Sequence, residues 1–212
     1  MRLARLLTLL CVVFIWPLAT YADDAGILLD YVPQGRIVRF EDPVQVWLGG
    51  EDRLEGKFYV ETVVSELRRI IPTLSITQTS SRSQANVRVY LTDSQQEWRE
   101  TIAKTAEGMV NWQEQGEYIR GFTRLASGGD GRIRRADIVL HLDFQTSGGQ
   151  KLWVVRHEFM HALGITSHPK DARDSVLNSM QAQEDKNGSF SDSDILVLQT
   201  IYSPHTSAGR PL

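Results

Sequence analysis

The spacing of apolar residues predicts alternating strands and helices along most of the chain. Residues 57–71 carry apolar side chains at helical spacing and end before Pro72, which predicts an amphipathic helix. Similar patterns predict extended pieces at 37–40 and 44–48, strands at 74–79, 87–91, 118–125 and 137–142, and helices at 95–105, from 147–149 to 163, and at 191–202. Strands come first and two helices last, which suits an α+β domain with a twisted mixed sheet backed by helices.

The first 22 residues have the three parts of a secretory signal peptide. Arg2 and Arg5 form a basic start, residues 6–18 are almost entirely apolar, and Ala22 supplies a small residue at the cleavage site. The apolar run is shorter than the about 20 residues that a membrane span needs. We therefore expect cleavage after Ala22 and a secreted or periplasmic protein, without a membrane span, whose single domain covers residues 23–212.

Composition narrows the possible partners and ligands. Without the two leader arginines, 21 basic and 26 acidic residues remain, a net charge of −5, and no basic patch stands out. A nucleic acid is therefore not an expected partner. The single cysteine, Cys11, lies in the leader, so the processed chain is expected to have neither a disulfide nor a thiolate metal ligand. The composition does not indicate an oligomeric state.

The segment before residue 163 has the spacing of a zinc-binding helix. A helix turns by about 100° per residue, so His157 and His161 lie on one face and both imidazoles reach one metal ion. In the H-E-x-x-H pattern, Glu158 is the general base rather than a ligand. The pattern also occurs by chance in unrelated proteins. A separate apolar stripe anchors this helix: Leu152, Val155, Phe159, Ala162 and Leu163.

A third ligand is expected soon after the helix. Gly164 permits the left-handed conformation that reverses the chain, which brings the following residues back to the metal. His168 is the first candidate, because neutral imidazole is a favoured zinc ligand. Asp171 and Asp174 are carboxylate alternatives, and a surface histidine before Pro169 is the non-functional alternative.

Together these residues resemble the metzincin zinc signature, although His168 follows Gly164 by four positions and the family usually has three. Residues 174–180 are similar to the metzincin Met-turn, with Leu177 at the methionine position and Met180 three residues later. Residues 191–202 are similar to the final helix of matrixin-like metzincins, and residues 202–209 to a group of secreted bacterial metzincin-like proteins. The resemblance implies a zincin-like fold, one catalytic Zn²⁺ in the second half of the domain, and a protein or peptide substrate.

These residues predict a zinc-dependent endopeptidase. Three ligands, His157, His161 and His168, leave one zinc position open for water, whose proton Glu158 would accept. We expect residues 136–142 to form the sheet edge that pairs with an extended substrate. His141 lies on the polar face of that strand, where we expect a solvated histidine, with a cleft residue as the alternative.

Two other functions remain open. The chain could be a non-catalytic, zinc-containing module that binds a protein or peptide, or its zinc could be purely structural. The presence of Glu158 argues against the first, and the lack of cysteine ligands argues against the second. Residues 23–35 could also be a short pro-segment that holds the enzyme latent, with a carboxylate of Asp23, Asp24 or Asp30 on the zinc.

Overall fold

The computed structural model describes residues 20–50, 53–92, 96, 100, 121–142, 147–178 and 188–212. Their elements are α1 (Thr20–Tyr31), β1 (Val44–Gly50), α2 (Arg53–Ile70), β2 (Ile76–Gln78), β3 (Val87–Thr92), β4 (Gly121–Ser127), β5 (Ile133–His141), α3 (Gly148–Ala162) and α4 (Asp192–Ile201). The predicted helix at 95–105 lies outside the described residues, apart from Gln96 and Glu100, which are helical.

The five strands form one mixed sheet in the order β2-β1-β3-β5-β4. The first four strands of this order run parallel, and β4 runs antiparallel to β5 at one end of the sheet. The helices α2 and α3 pack against the sheet and against each other, and apolar side chains from the sheet and both helices form the core. The prediction of an α+β domain with a mixed sheet backed by helices is confirmed at this level.

The strand β5 is interior, so the prediction that residues 136–142 form the sheet edge is wrong. It pairs with β3 on one side and with β4 on the other. Ile138, Val139 and Leu140 are all fully buried, because both faces of this strand are covered. His141 is also buried, at 4% exposure, which corrects the expectation of a solvated histidine.

The helix α3 is the central helix of the domain. The predicted apolar stripe is inside: Val155, Phe159, Ala162 and Leu163 are buried, and Leu152 packs against the core. Arg156, on another face, is also buried and donates two hydrogen bonds of 2.8 Å to the carboxylate of Glu66 on α2. This ion pair uses both carboxylate oxygens of Glu66 and holds α3 against α2.

The helix α1 was not predicted, and it belongs to the folded domain. Tyr31 and the following Val32 are buried in the core, and the Tyr31 hydroxyl donates to Asp194 of α4 over 2.9 Å. The expected cleavage point after Ala22 falls within the first turn of this helix, so the processed chain would retain Tyr31.

The tail beyond α4 packs back along residues 35–39. Gly209 donates its backbone N–H to Ile37 over 2.8 Å, and Leu212 donates to Gly35 over 3.0 Å. The Arg39 guanidinium is hydrogen-bonded to the carbonyl of Ile201 at the end of α4. Within the described ranges, no helix has the length and apolar character needed to cross a membrane.

Candidate metal centre

Three histidine side chains converge at the end of α3. The Nε2 atom of His157 lies 3.1 Å from Nε2 of His161 and 3.3 Å from Nε2 of His168. The possible ligand atoms of these three residues all lie within 4.8 Å of one another. The first two come from successive turns of α3, and the third comes from the loop that follows it, as the spacing predicted.

Backbone carbonyl groups orient two of the imidazoles. Nδ1 of His157 lies 2.8 Å from the carbonyl oxygen of Val176, and Nδ1 of His161 lies 2.6 Å from that of Ile165. A carbonyl oxygen only accepts hydrogen bonds, so in the neutral ring Nδ1 carries the proton and Nε2 keeps its lone pair. Both lone pairs are therefore available to a metal ion, with a second partner that fixes each ring.

The surroundings keep these rings neutral. Burial, together with the neighbouring histidines, lowers the pKa of His157 to about 3, and burial lowers the pKa of His161 to about 4. Partial burial also lowers the pKa of His168, which stands at the exposed side of the group. Metal binding requires the neutral form of histidine. At neutral pH, the three rings are therefore in the protonation state that can bind a cation.

The spacing of the three rings fits a tetrahedral zinc ion. Nitrogen ligands at about 2.0–2.1 Å from such an ion are separated from one another by about 3.3 Å. The separations of 3.1 and 3.3 Å from His157 to the other two histidines agree with this value. Uncharged imidazole nitrogens are also the ligand type that zinc favours. The residues present therefore fit this metal.

Gly164 makes the turn that separates His161 from His168. Its φ of 103° is a conformation that other residues rarely adopt, and an added Cβ would lie 1.9 Å from the carbonyl oxygen of Val38. Gly164 donates to the carbonyl of His161, and Ile165 donates to that of Met160, which closes α3 with a Schellman motif. The same turn directs the Ile165 carbonyl towards His161.

The buried carboxylate of Asp194 holds the loop that supports His157. It accepts hydrogen bonds from the Ser175 hydroxyl at 2.7 Å and the Val176 amide at 3.0 Å, besides that from Tyr31. It also caps its own helix as the partner of Ser191. One carboxylate thus connects α1, α4 and the Val176 carbonyl, whose oxygen faces His157.

The side chain of Glu158 extends from α3 towards β4. Thr123 on β4 donates its hydroxyl to Oε2 of Glu158 over 2.6 Å, and a Cβ at Gly121 would lie 2.5 Å from Oε1. The absence of a side chain at Gly121 therefore leaves the space that the carboxyl group occupies. Burial raises the pKa of Glu158 to about 8, although the hydrogen bond from Thr123 acts in the opposite direction.

Comparison with known families matches residues 20–210 to a group described as a protein of unknown function, DUF2927. The chain belongs to the DUF2927 family. No curated protein matches it.

In this DUF2927 protein, the predicted residues are only partly brought together. His157, His161 and His168 form the cluster, whereas Glu158 follows His157 on the same helix and its carboxylate contacts Thr123. Asp171 and Asp174 are not in the cluster and line a cavity beside α1 instead. Leu177 is fully buried, whereas Met180 lies outside the described residues, so the residue at the Met-turn position stays a prediction.

Several residues of the DUF2927 site were not found from the sequence. Thr123 and Gly121 reach Glu158 from a strand 35 or more positions earlier, and no local pattern links them. The sequence suggests Asp30 only as a carboxylate that could block the zinc, but it accepts hydrogen bonds from two loop amides. Asp194 did leave a signal, because Ser191-x-x-Asp194 has the spacing of a capping box.

Proposed function

We propose that this chain is a zinc-dependent endopeptidase. His157, His161 and His168 would hold one Zn²⁺, and Glu158 would act as general base. The observation that carries the proposal is the convergence of three neutral imidazole nitrogens at the end of a helix that also carries the buried Glu158. The metzincin-like spacing from His157 to His168 supports the same function.

Three ligands favour a catalytic zinc over a structural one. Structural zinc sites are closed by four protein ligands, whereas catalytic sites keep one position open. Within the described part of the chain, the metal-ligating group consists of the three histidines alone. His168 is exposed, so the group borders solvent on that side, which favours access of a substrate.

The chemistry divides between the metal and Glu158. When bound, zinc would lower the pKa of a water molecule and polarise the carbonyl of the scissile bond. Glu158 would accept a proton at its carboxylate and return it to the leaving amine. A divalent cation nearby favours the ionised carboxylate, which opposes the effect of burial on the pKa of Glu158. Thr123 would orient the carboxylate through Oε2.

The strand β4 is the proposed docking edge for an extended peptide. It is the terminal strand of the described sheet, and its Thr123 contacts Glu158 directly. A peptide added along such an edge gains backbone hydrogen bonds with little selectivity for sequence. The substrate class is therefore an extended segment of protein, and the leader at residues 1–22 supports a secreted or periplasmic enzyme.

A Glu158→Gln variant tests the proposal. The wild type should bind zinc and cleave a reduced, alkylated protein at neutral pH, and a zinc chelator should abolish cleavage. The variant should keep the zinc but lose about 10²–10⁴-fold in kcat, because it lacks the proton acceptor. The matched control, Glu61→Gln on the exposed face of α2, should retain full activity. A zinc-loaded wild type without cleavage, or equal activity of both Glu158 forms, would contradict the proposal.

A further inference from the structure

We propose that Asp30 of α1 is a positioning residue for the metal centre, which places His168 by holding the backbone that follows it. This inference rests on the zinc site proposed above. It adds a residue from a part of the chain far from the histidine motif, and it assigns a role to α1.

The Asp30 carboxylate is bound to two consecutive amides. Oδ1 accepts from the N–H of Lys170 and Oδ2 accepts from the N–H of Asp171, each over 3.0 Å. Two parallel hydrogen bonds fix both the position and the rotation of that stretch of backbone. Only Pro169, which is buried and has a fixed φ, separates this stretch from His168. These two hydrogen bonds, called the Asp30 clamp below, therefore restrain the position of His168, the proposed third ligand.

His168 needs such support more than the other two ligands. The helix fixes the Cα atoms of His157 and His161, and a backbone carbonyl fixes each of their rings. His168 lies on an exposed loop, and its ring contacts among the described residues are with these two histidines. Ordering a mobile side chain costs conformational entropy when the metal binds, and a clamped backbone reduces that cost.

Both sides of the clamp are anchored. On the α1 side, the neighbouring Tyr31 is buried and donates to Asp194. On the loop side, the Asn178 amide donates to the carbonyl of Ala172 over 2.7 Å. Asp30 therefore connects α1 with the loop after His168, and its carboxylate accepts hydrogen bonds from that loop. Partial burial opposes ionisation of Asp30, but the loop amides and the Lys170 charge outweigh it and lower its pKa.

Zinc affinity of the processed chain tests the inference. Apo protein is titrated with zinc in competition with a chromophoric chelator, for the wild type and for Asp30→Ala, Asp30→Asn and Leu29→Ala. We expect Asp30→Ala to bind about 10–100-fold more weakly, which is typical for loss of an outer-shell partner. Asp30→Asn, which keeps one acceptor oxygen, should lose less. Leu29 is 51% exposed on the same helix, so Leu29→Ala should bind as the wild type does.

A double-mutant cycle separates positioning from general damage to the fold. If Asp30 acts through His168, Asp30→Ala should cause no further loss of affinity in a His168→Ala background. The same loss in both backgrounds, or full affinity in Asp30→Ala, would overturn the inference. If Asp30→Ala does not fold, the cycle with Asp30→Asn decides in the same way. A wild type that binds no zinc would instead overturn the proposed function, and the inference with it.

Discussion

At the scale of single residues, the hydroxyl of Thr123 is the only described side-chain donor to the Glu158 carboxylate. It lies on the strand along which the substrate is proposed to bind. Substrate docking and the orientation of the general base would therefore depend on the same strand, and a change at Thr123 should affect catalysis without affecting the metal.

Thr123→Val removes this donor with little change in shape. A hydrogen bond to a charged group contributes about 1.5–3 kcal/mol, so we expect kcat/KM to fall on the order of 10- to 100-fold. Zinc affinity should be unchanged, and Thr123→Ser should restore most of the activity. Steady-state cleavage assays at matched zinc occupancy measure both effects. Loss of zinc in the Val variant would show instead that Thr123 supports the fold of the site.

The sequence predicted the residues that share one local pattern. His157, Glu158 and His161 follow from helical spacing, and His168 follows from the turn at Gly164. Thr123 did not follow, because strand pairing brings it to the site from 35 positions away. Contacts that arise only from tertiary packing leave no periodic signal in a single sequence, and this separates the predicted part of the site from the rest.

At the scale of elements, the end of α3 carries one proposed ligand, His161, and the turn that leads to the next, His168. Gly164→Ala would place a Cβ against the Val38 carbonyl and force a positive φ on a residue that disfavours it. We expect a loss of about 1–3 kcal/mol or more in the free energy of unfolding. For a domain of this size, that corresponds to roughly 2–12 °C in Tm.

Gly129→Ala is the matched control for this substitution. A Cβ at Gly129 meets nothing within 4 Å, and its φ is not in the positive range, so Tm should change little. Thermal unfolding of both variants in the presence of chelator isolates the effect on the fold. Zinc titration then shows whether Gly164→Ala also disturbs Ile165, whose carbonyl orients His161. Equal Tm values for the two variants would contradict the role assigned to Gly164.

The elements also show where the sequence pattern was interpreted wrongly. Ile138, Leu140 and Leu142 alternate along the strand, a pattern that by itself indicates one buried face. The intervening Val139 makes the segment a continuous apolar run, which is typical of a strand covered on both faces. The helix α1 was missed for another reason. Among its described side chains, the apolar residues that pack in or against the core are Ile27, Leu28 and Tyr31, which span little more than one turn.

At the scale of the whole molecule, zinc binding and folding are expected to be linked. The proposed ligands come from α3 and its following loop, which Asp194 connects to α1 and α4. A metal that binds only the folded chain stabilises it by about 2.7 kcal/mol when its free concentration is 100-fold above Kd. Thermal unfolding should therefore show a higher Tm with zinc than with chelator, and the difference should disappear in His157→Ala. The same Tm under both conditions would contradict the linkage.

The pairing of the tail with residues 35–39 has a consequence for the order of folding. Arg36 binds the carbonyl of Gly209 across 173 positions of sequence. At about 5–20 residues per second, a ribosome needs roughly 10–35 s to synthesise that interval. Until then, Gly35 and Ile37 have no tail to pair with. The native packing of residues 35–39 is therefore completed only after the tail has been synthesised.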